Sequence, residues 1–161
     1  MAEQRILECS KLMAEKNLTI AFAESATAGW LCSEFALAPE SGRILKGGIV
    51  CYDATLKEDI LKVPHVLIEK YTPESEEVTA EMARRLGGLI PSDIQIGVTG
   101  LTTPGGSENY DKPVGTMFVY AFIHGKPVSL CQVYTGSQED IIHQTIDAVA
   151  QMLINEIGKM P

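Results

Sequence analysis

Histidine is scarce in this chain of 161 residues: only His65, His124 and His143 occur, and none stands at metal-ligand spacing from another. A histidine-based metal centre is therefore not expected. The four cysteines, Cys9, Cys32, Cys51 and Cys131, are scattered, with no C-x-x-C pair. That argues against a zinc site or a disulfide framework and for buried free thiols in a reducing compartment. Positive charge is in short supply, with 13 Lys and Arg against 21 Asp and Glu and a formal net charge of −8. A general nucleic-acid binder, which needs clustered basic residues, is disfavoured; a small anionic ligand, which needs only a local patch, is not. Long apolar runs are also missing, so no membrane-spanning helix is expected. Met1-Ala2-Glu3-Gln4-Arg5 lacks the basic and apolar pattern of a secretory leader, and the expected location is the cytoplasm.

The chain is otherwise ordinary in composition, with 45% hydrophobic and 21% charged residues. Length and composition predict one globular domain over residues 1–161, with no internal repeat or linker. Residues 3–16 place Ile6, Leu7, Cys9, Leu12 and Met13 at helical spacing, and Asn17 is a stop. Residues 19–23 read as a short buried strand, residues 29–37 as a helix, 48–52 as a second strand and 54–61 as a short helix. Thr72 to Glu77 opens a further helix, carried on by Val78, Met82, Leu86 and Leu89. Residues 94–98 form a strand and 101–113 a Gly/Pro-rich loop. Residues 114–123 and 128–134 pair around His124-Gly125-Lys126-Pro127, and a last helix begins at Gly136-Ser137. Early alternation followed by a hairpin predicts a three-layer α/β/α sandwich with a mixed, mostly parallel central sheet.

Three junctions place small and polar residues at strand ends, where open α/β sheets bind ligands. The first is Glu24-Ser25-Ala26-Thr27-Ala28-Gly29, a strand entering a tight turn and a helix, which sets a hydroxyl near backbone N–H donors. The competing reading is that Ser25 or Thr27 is simply an N-cap. The second is Tyr52 with Lys57 about one helical turn later; a lysine becomes a base only where desolvation or a neighbouring cation lowers its pKa. The plain alternative is a half-buried tyrosine and a solvated lysine. The third is Gly100 to Gly106, continuing to Lys112-Pro113-Val114-Gly115-Thr116. Its glycines bring backbone close to a ligand, or the segment is merely a connection. It lacks the ending of a Walker A loop.

In order and spacing these segments resemble the CinA C-terminal domain family, whose stand-alone form is nicotinamide-nucleotide amidase. The resemblance rests on Ala-Glu-Ser-x-Thr-x-Gly at 23–29, Gly47-Gly48-Ile49-Val50-x-Tyr52 with Lys57, Val98-x-Gly100, Pro104-Gly105-Gly106 and Lys112 to Thr116. It implies hydrolysis of nicotinamide mononucleotide to nicotinate mononucleotide and ammonia. Ser25 then matches the nucleophile, and Tyr52 and Lys57 match the residues that activate it and relay its proton. Glu24, Thr27, Gly29, Gly48, Gly100, Thr102, Gly105 and Gln138 are the substrate-binding candidates that follow. This is Ser–Lys chemistry, which requires neither a metal nor a cofactor. The implied partner is a small nucleotide, not a nucleic acid or a membrane, and a homodimer or higher homo-oligomer is the expected assembly.

The sequence departs from the family pattern at four positions. Ala26 stands for a usual cysteine, Ala28 and Thr103 for glycines, and Gln138 for an arginine. Gln138 cannot form a bidentate phosphate fork. Two further expectations follow: a divergent member that binds a nucleotide or a protein partner without turnover, and an amidase whose substrate lacks the phosphate.

Overall fold

The computed structural model describes residues 2–161. In chain order its elements are α1 (Ala2–Glu15), β1 (Ile20–Glu24), α2 (Trp30–Leu37), α3 (Ser41–Ile44), β2 (Leu45–Val50), α4 (Ala54–Asp59) and α5 (His65–Tyr71). They continue with α6 (Glu76–Leu89), β3 (Ile94–Gly100), β4 (Thr116–Ile123), β5 (Lys126–Val133) and α7 (Gln138–Gly158). The five strands form one sheet in the order β2-β1-β3-β4-β5. β1 pairs in parallel with both β2 and β3, whereas β3–β4 and β4–β5 are antiparallel. Every strand except β4 therefore points the same way, and the sheet is the mixed, mostly parallel one expected, with the hairpin at one edge.

Strand alternation divides the core between the two faces. Ile20 and Phe22 point to one face and pack with Ile6, Cys9 and Met13 of α1, Leu31 and Phe35 of α2, and Ile146, Val149 and Leu153 of α7. Ala21 and Ala23 point to the other, under Ile68 of α5 and Val78, Met82 and Leu86 of α6. Each large apolar side chain so buried contributes about 1.5–3 kcal/mol. Small residues on the second face let α6 approach closely. A Cβ at Gly97 would stand 2.5 Å from the Thr79 carbonyl oxygen, so only glycine fits beneath that helix.

Several boundaries differ from the sequence expectation for local reasons. β2 begins at Leu45, ahead of the expected Gly48, because the parallel ladder to β1 runs through Gly47 and Gly48 with an irregularity between Ile20 and Ala21. It ends at Val50, leaving Cys51 and Tyr52 beyond the strand. The short helices α3 and α5 were not anticipated. α6 is capped by Ser75, whose Oγ accepts from the Val78 N–H at 3.3 Å. The hairpin turns on His124 and Gly125, with φ of 48° and 77°, the positive pair a type I′ turn requires, so Lys126 and Pro127 already belong to β5. Ser137 caps α7 in a reciprocal capping box with Asp140.

Candidate active site

The strand order reverses about β1, with β2 on one side and β3 on the other, and a crevice opens at the carboxyl ends of these parallel strands. Three connections converge there: the turn after β1 carrying Ser25, α4 after β2 carrying Lys57, and the loop after β3.

The turn after β1 is pinned by backbone bonds. The Ser25 N–H donates to the Val98 carbonyl at 3.0 Å, and the Ala28 N–H to the Ser25 carbonyl at 3.0 Å. Ala28 lies at φ 49° and Gly29 at φ 94°. Gly29 is the N-cap of α2 and supplies no side-chain cap, so neither Ser25 nor Thr27 fills that role. Glu24 does the work instead, from outside the helix. Its Oε1 accepts from Thr27 Oγ at 2.6 Å and from the Leu31 N–H at 2.9 Å, and its Oε2 accepts from the Cys32 N–H at 3.0 Å. A carboxylate thus holds the positive end of α2, and the Ser25 hydroxyl is released from capping. The N–H groups of Ala26 and Thr27 have no hydrogen-bond partner among the described residues.

Lys57 is the largest departure from the plain reading of the sequence. It is 1% exposed, whereas Tyr52 is 57% exposed. Asp53 starts α4 by accepting from the Thr55 N–H at 2.9 Å and Thr55 Oγ at 2.8 Å, and the turn that follows carries Lys57 inward. Lys57 Nζ stands 3.0 Å from Ser25 Oγ and donates to the Cys51 carbonyl at 2.9 Å. Burial holds its pKa below the ordinary lysine value of 10.5; the nearby Glu74, Cys51 and Asp53 oppose that shift without cancelling it. With one N–H spent on Cys51, a neutral amine can turn its lone pair to the serine hydroxyl. A serine hydroxyl and a buried amine at this separation can act as nucleophile and base.

Ser25 opens into a cavity of about 240 Å³, lined also by Ala26, Tyr52, Glu74 and the 100–106 segment. Gly100, Thr102 and Gly105 therefore line the same cavity as Ser25. Gln138 reaches the wall indirectly, its Nε2 donating to Thr102 Oγ at 3.1 Å. Glu24, Thr27, Gly29 and Gly48 do not line the cavity. The first three build the turn. Gly48 sits inside the sheet, where a Cβ would stand 3.0 Å from the Phe22 carbonyl oxygen. Tyr52 lines the mouth, and no hydrogen bond joins it to Ser25 or Lys57. Of the departures from the family pattern, Ala28 occupies the left-handed region and Thr103 does not.

Two acids that the sequence patterns do not single out as site residues also border the site. Glu74 lines the cavity, and its Oε2 accepts from Ser107 Oγ at 2.5 Å. Glu108 accepts from the N–H groups of Gly105 and Gly106, each at 2.8 Å. The second was available as a signal, because an acid two residues beyond a Gly-Gly pair is well placed to close back on it.

A family model described as the CinA C-terminal domain matches residues 2–157. A CinA-like protein of Pseudothermotoga lettingae is 34% identical over 146 residues, which cover 89% of this chain and 35% of that protein. The chain thus spans about a third of the length of the curated relatives it matches. Among solved structures, a competence-damaged protein (CinA) superfamily protein of Escherichia coli superposes with a TM-score of 0.91 at 26% identity, covering 97% of this chain and 90% of that one. A CinA superfamily protein of Klebsiella pneumoniae gives a TM-score of 0.94 at 20% identity, covering 99% of each chain, and shares the fold.

Proposed function

This chain belongs to the CinA C-terminal domain family, and from that premise we propose that it is a serine amidohydrolase working through Ser25 and Lys57, with nicotinamide mononucleotide as its substrate. The observation that carries the reading is a lysine amine, shut off from solvent, 3.0 Å from a serine hydroxyl that faces a cavity. A lysine is rarely buried without a purpose, and desolvation is the means by which it becomes a base near neutral pH.

In the proposed reaction Ser25 Oγ attacks the carboxamide carbon while Lys57 Nζ takes the hydroxyl proton. The developing oxyanion lies by the unpaired N–H of Ala26, the residue after the nucleophile. The C–N bond then breaks, Lys57 gives its proton to the departing nitrogen, and ammonia leaves an ester on Ser25. Water attacks the ester, Lys57 takes a proton from it, and the carboxylic acid is released as the proton returns to Ser25. Tyr52 forms the mouth of the cavity, and its place in the proton relay is carried over from the family resemblance.

Ammonia release from nicotinamide mononucleotide by the purified protein tests this reading. Ser25→Ala should lower kcat by about 10³-fold or more, as expected when a nucleophile and its base act as a unit. Turnover that survives the substitution sinks the mechanism. Tyr52→Phe separates the ring from the hydroxyl: a relay role predicts a fall in kcat of at least about 10²-fold, and a wall predicts a change in KM alone.

A further inference from the structure

One pair of donors in the cavity plays no part in the chemistry proposed above. Gly105 and Gly106 both line the cavity that holds Ser25. Their N–H groups converge on the two oxygens of Glu108, each at 2.8 Å. Gly105 sits at φ 101°, a conformation that glycine adopts freely and that turns its N–H toward the same point as its neighbour's. Successive backbone N–H groups aimed at one oxyanion are how a backbone nest holds phosphate or carboxylate.

Glu74 and Glu108 both border this loop, but their charges are handled differently. Glu74 accepts from Ser107 Oγ at 2.5 Å. Lys112 Nζ stands beside it, bonded to Ser107 Oγ at 2.8 Å, Thr72 Oγ at 2.6 Å and the Glu74 carbonyl at 2.8 Å. Its charge is balanced where it stands. Glu108 is half-buried, and its carboxylate accepts from backbone N–H groups, those of Gly105 and Gly106 among them. These bonds, Gly105's foremost, hold its carboxyl below the usual range. An incoming anion would need the same two donors.

We propose that the Gly105–Gly106 N–H pair is a phosphomonoester subsite of the cavity and that Glu108 is its built-in competitor, so that a ligand's phosphate binds by displacing the Glu108 side chain. The inference rests on the preceding reading only in taking the Ser25 cavity as the ligand site. A free carboxylate gains little by replacing one that is already tethered, since the tether gives Glu108 an effective concentration in the millimolar range or above. A phosphate dianion carries more charge and more acceptor oxygens, and can win the exchange. Glu108 is then a specificity-determining residue that weakens phosphate binding without touching the reacting atoms.

Inorganic phosphate is the direct probe. In wild-type protein its titration should shift the Gly105 and Gly106 amide resonances. In Glu108→Ala the apparent Kd should fall about tenfold, the size expected for removing one charged hydrogen-bonding competitor. Glu108→Gln, which preserves the loop with a weaker acceptor, should fall between the two. Equal affinity in all three proteins, or shifts confined to other residues, overturns the proposal. None of this needs turnover, so phosphate bound at Gly105 and Gly106 in a protein that releases no ammonia would refute the amidase reading and leave the subsite standing. Where turnover is present, Glu108→Ala should lower KM for nicotinamide mononucleotide about tenfold and leave kcat, and KM for nicotinamide riboside, unchanged. An equal change in both KM values refutes the subsite alone.

Discussion

Lys57 shows how one residue ties stability to chemistry. Its folded pKa lies below 10.5 because the amine is buried, so the neutral, basic form gains population as pH rises. The kcat/KM profile should therefore climb with pH, with a midpoint below the value of a free lysine. The sign for stability is the same. Between the lowered folded value and 10.5 the unfolded chain binds a proton that the folded chain does not, so the Lys57 contribution to stability rises with pH across that window. Lys57→Met should abolish the rising limb of activity and flatten this dependence, while leaving Tm at pH 7 equal or higher, because an apolar side chain replaces a buried amine. A Tm that drops with the activity would show the amine to be a structural group first. Ala28 makes a separate prediction. At φ 49° an alanine carries a left-handed strain that glycine does not. Ala28→Gly should raise stability by about 1 kcal/mol in denaturant unfolding, the strain relieved outweighing the added chain entropy. The sequence named Ser25, Tyr52 and Lys57 but could not reveal that Lys57 is enclosed, because that depends on α4 folding back against the ends of β1 and β2. Nor could it show Glu24 as the cap of α2. The capping residue lies five positions before Gly29, outside the window in which Ser, Thr, Asp or Asn signals a helix start.

Among the elements, those with a clear period were legible and the short ones were not. α1, α6 and α7 carry apolar side chains at helical spacing, and their limits fall within a few residues of the expected ones. α3 and α5, of 4 and 7 residues, are too short to display a period and are held by their place between strands. The start of β2 is not legible in the sequence because Gly47 and Gly48 look like a break, yet the β1 partner supplies the ladder and carries them as strand. α6 offers a test at this scale. It rests on Gly97 at a distance that excludes a Cβ, which would meet the Thr79 carbonyl at 2.5 Å and the Ala83 N at 3.2 Å. Gly97→Ala should push the helix outward and cost about 1–3 kcal/mol, the usual range for overpacking. Because Thr79 Oγ and Thr99 Oγ hydrogen-bond at 2.7 Å across the same seam, the shift should also loosen the end of β3 that leads into the cavity loop. KM should rise with the loss of stability, and a variant that loses stability with unaltered KM would show the two to be independent.

The whole molecule is one sheet covered on both faces, and neither cover can leave without exposing the other's support. The strands of β1 donate alternate residues to the two cores, Ile20 and Phe22 to one, Ala21 and Ala23 to the other. Unfolding should accordingly be a single cooperative transition, with far-UV and near-UV circular dichroism melting together. Separated transitions would mean that α6 and its neighbours fold apart from the rest. The alternation of helix and strand made this architecture readable from the sequence, whereas the strand order that creates the crevice is visible only in the folded sheet. Occupancy of the crevice was less readable, because it depends on which side chains of three separate connections reach one another.

The enclosure of Lys57 also governs how this protein meets reactive chemicals. Lys11, Lys62, Lys70 and Lys126 stand in solvent, and an amine-directed acylating reagent will spend itself on them. Lys57 is shut off from solvent, its amine 3.0 Å from Ser25 Oγ. A covalent inhibitor should therefore be a small serine-directed electrophile, a carbamate for example, that is trapped on Ser25 and leaves Lys57 unmodified but with no serine hydroxyl proton to take. Peptide mapping of the labelled protein would locate the adduct on the segment that contains Ser25, while the surface lysines, though far more numerous and exposed, stay unlabelled.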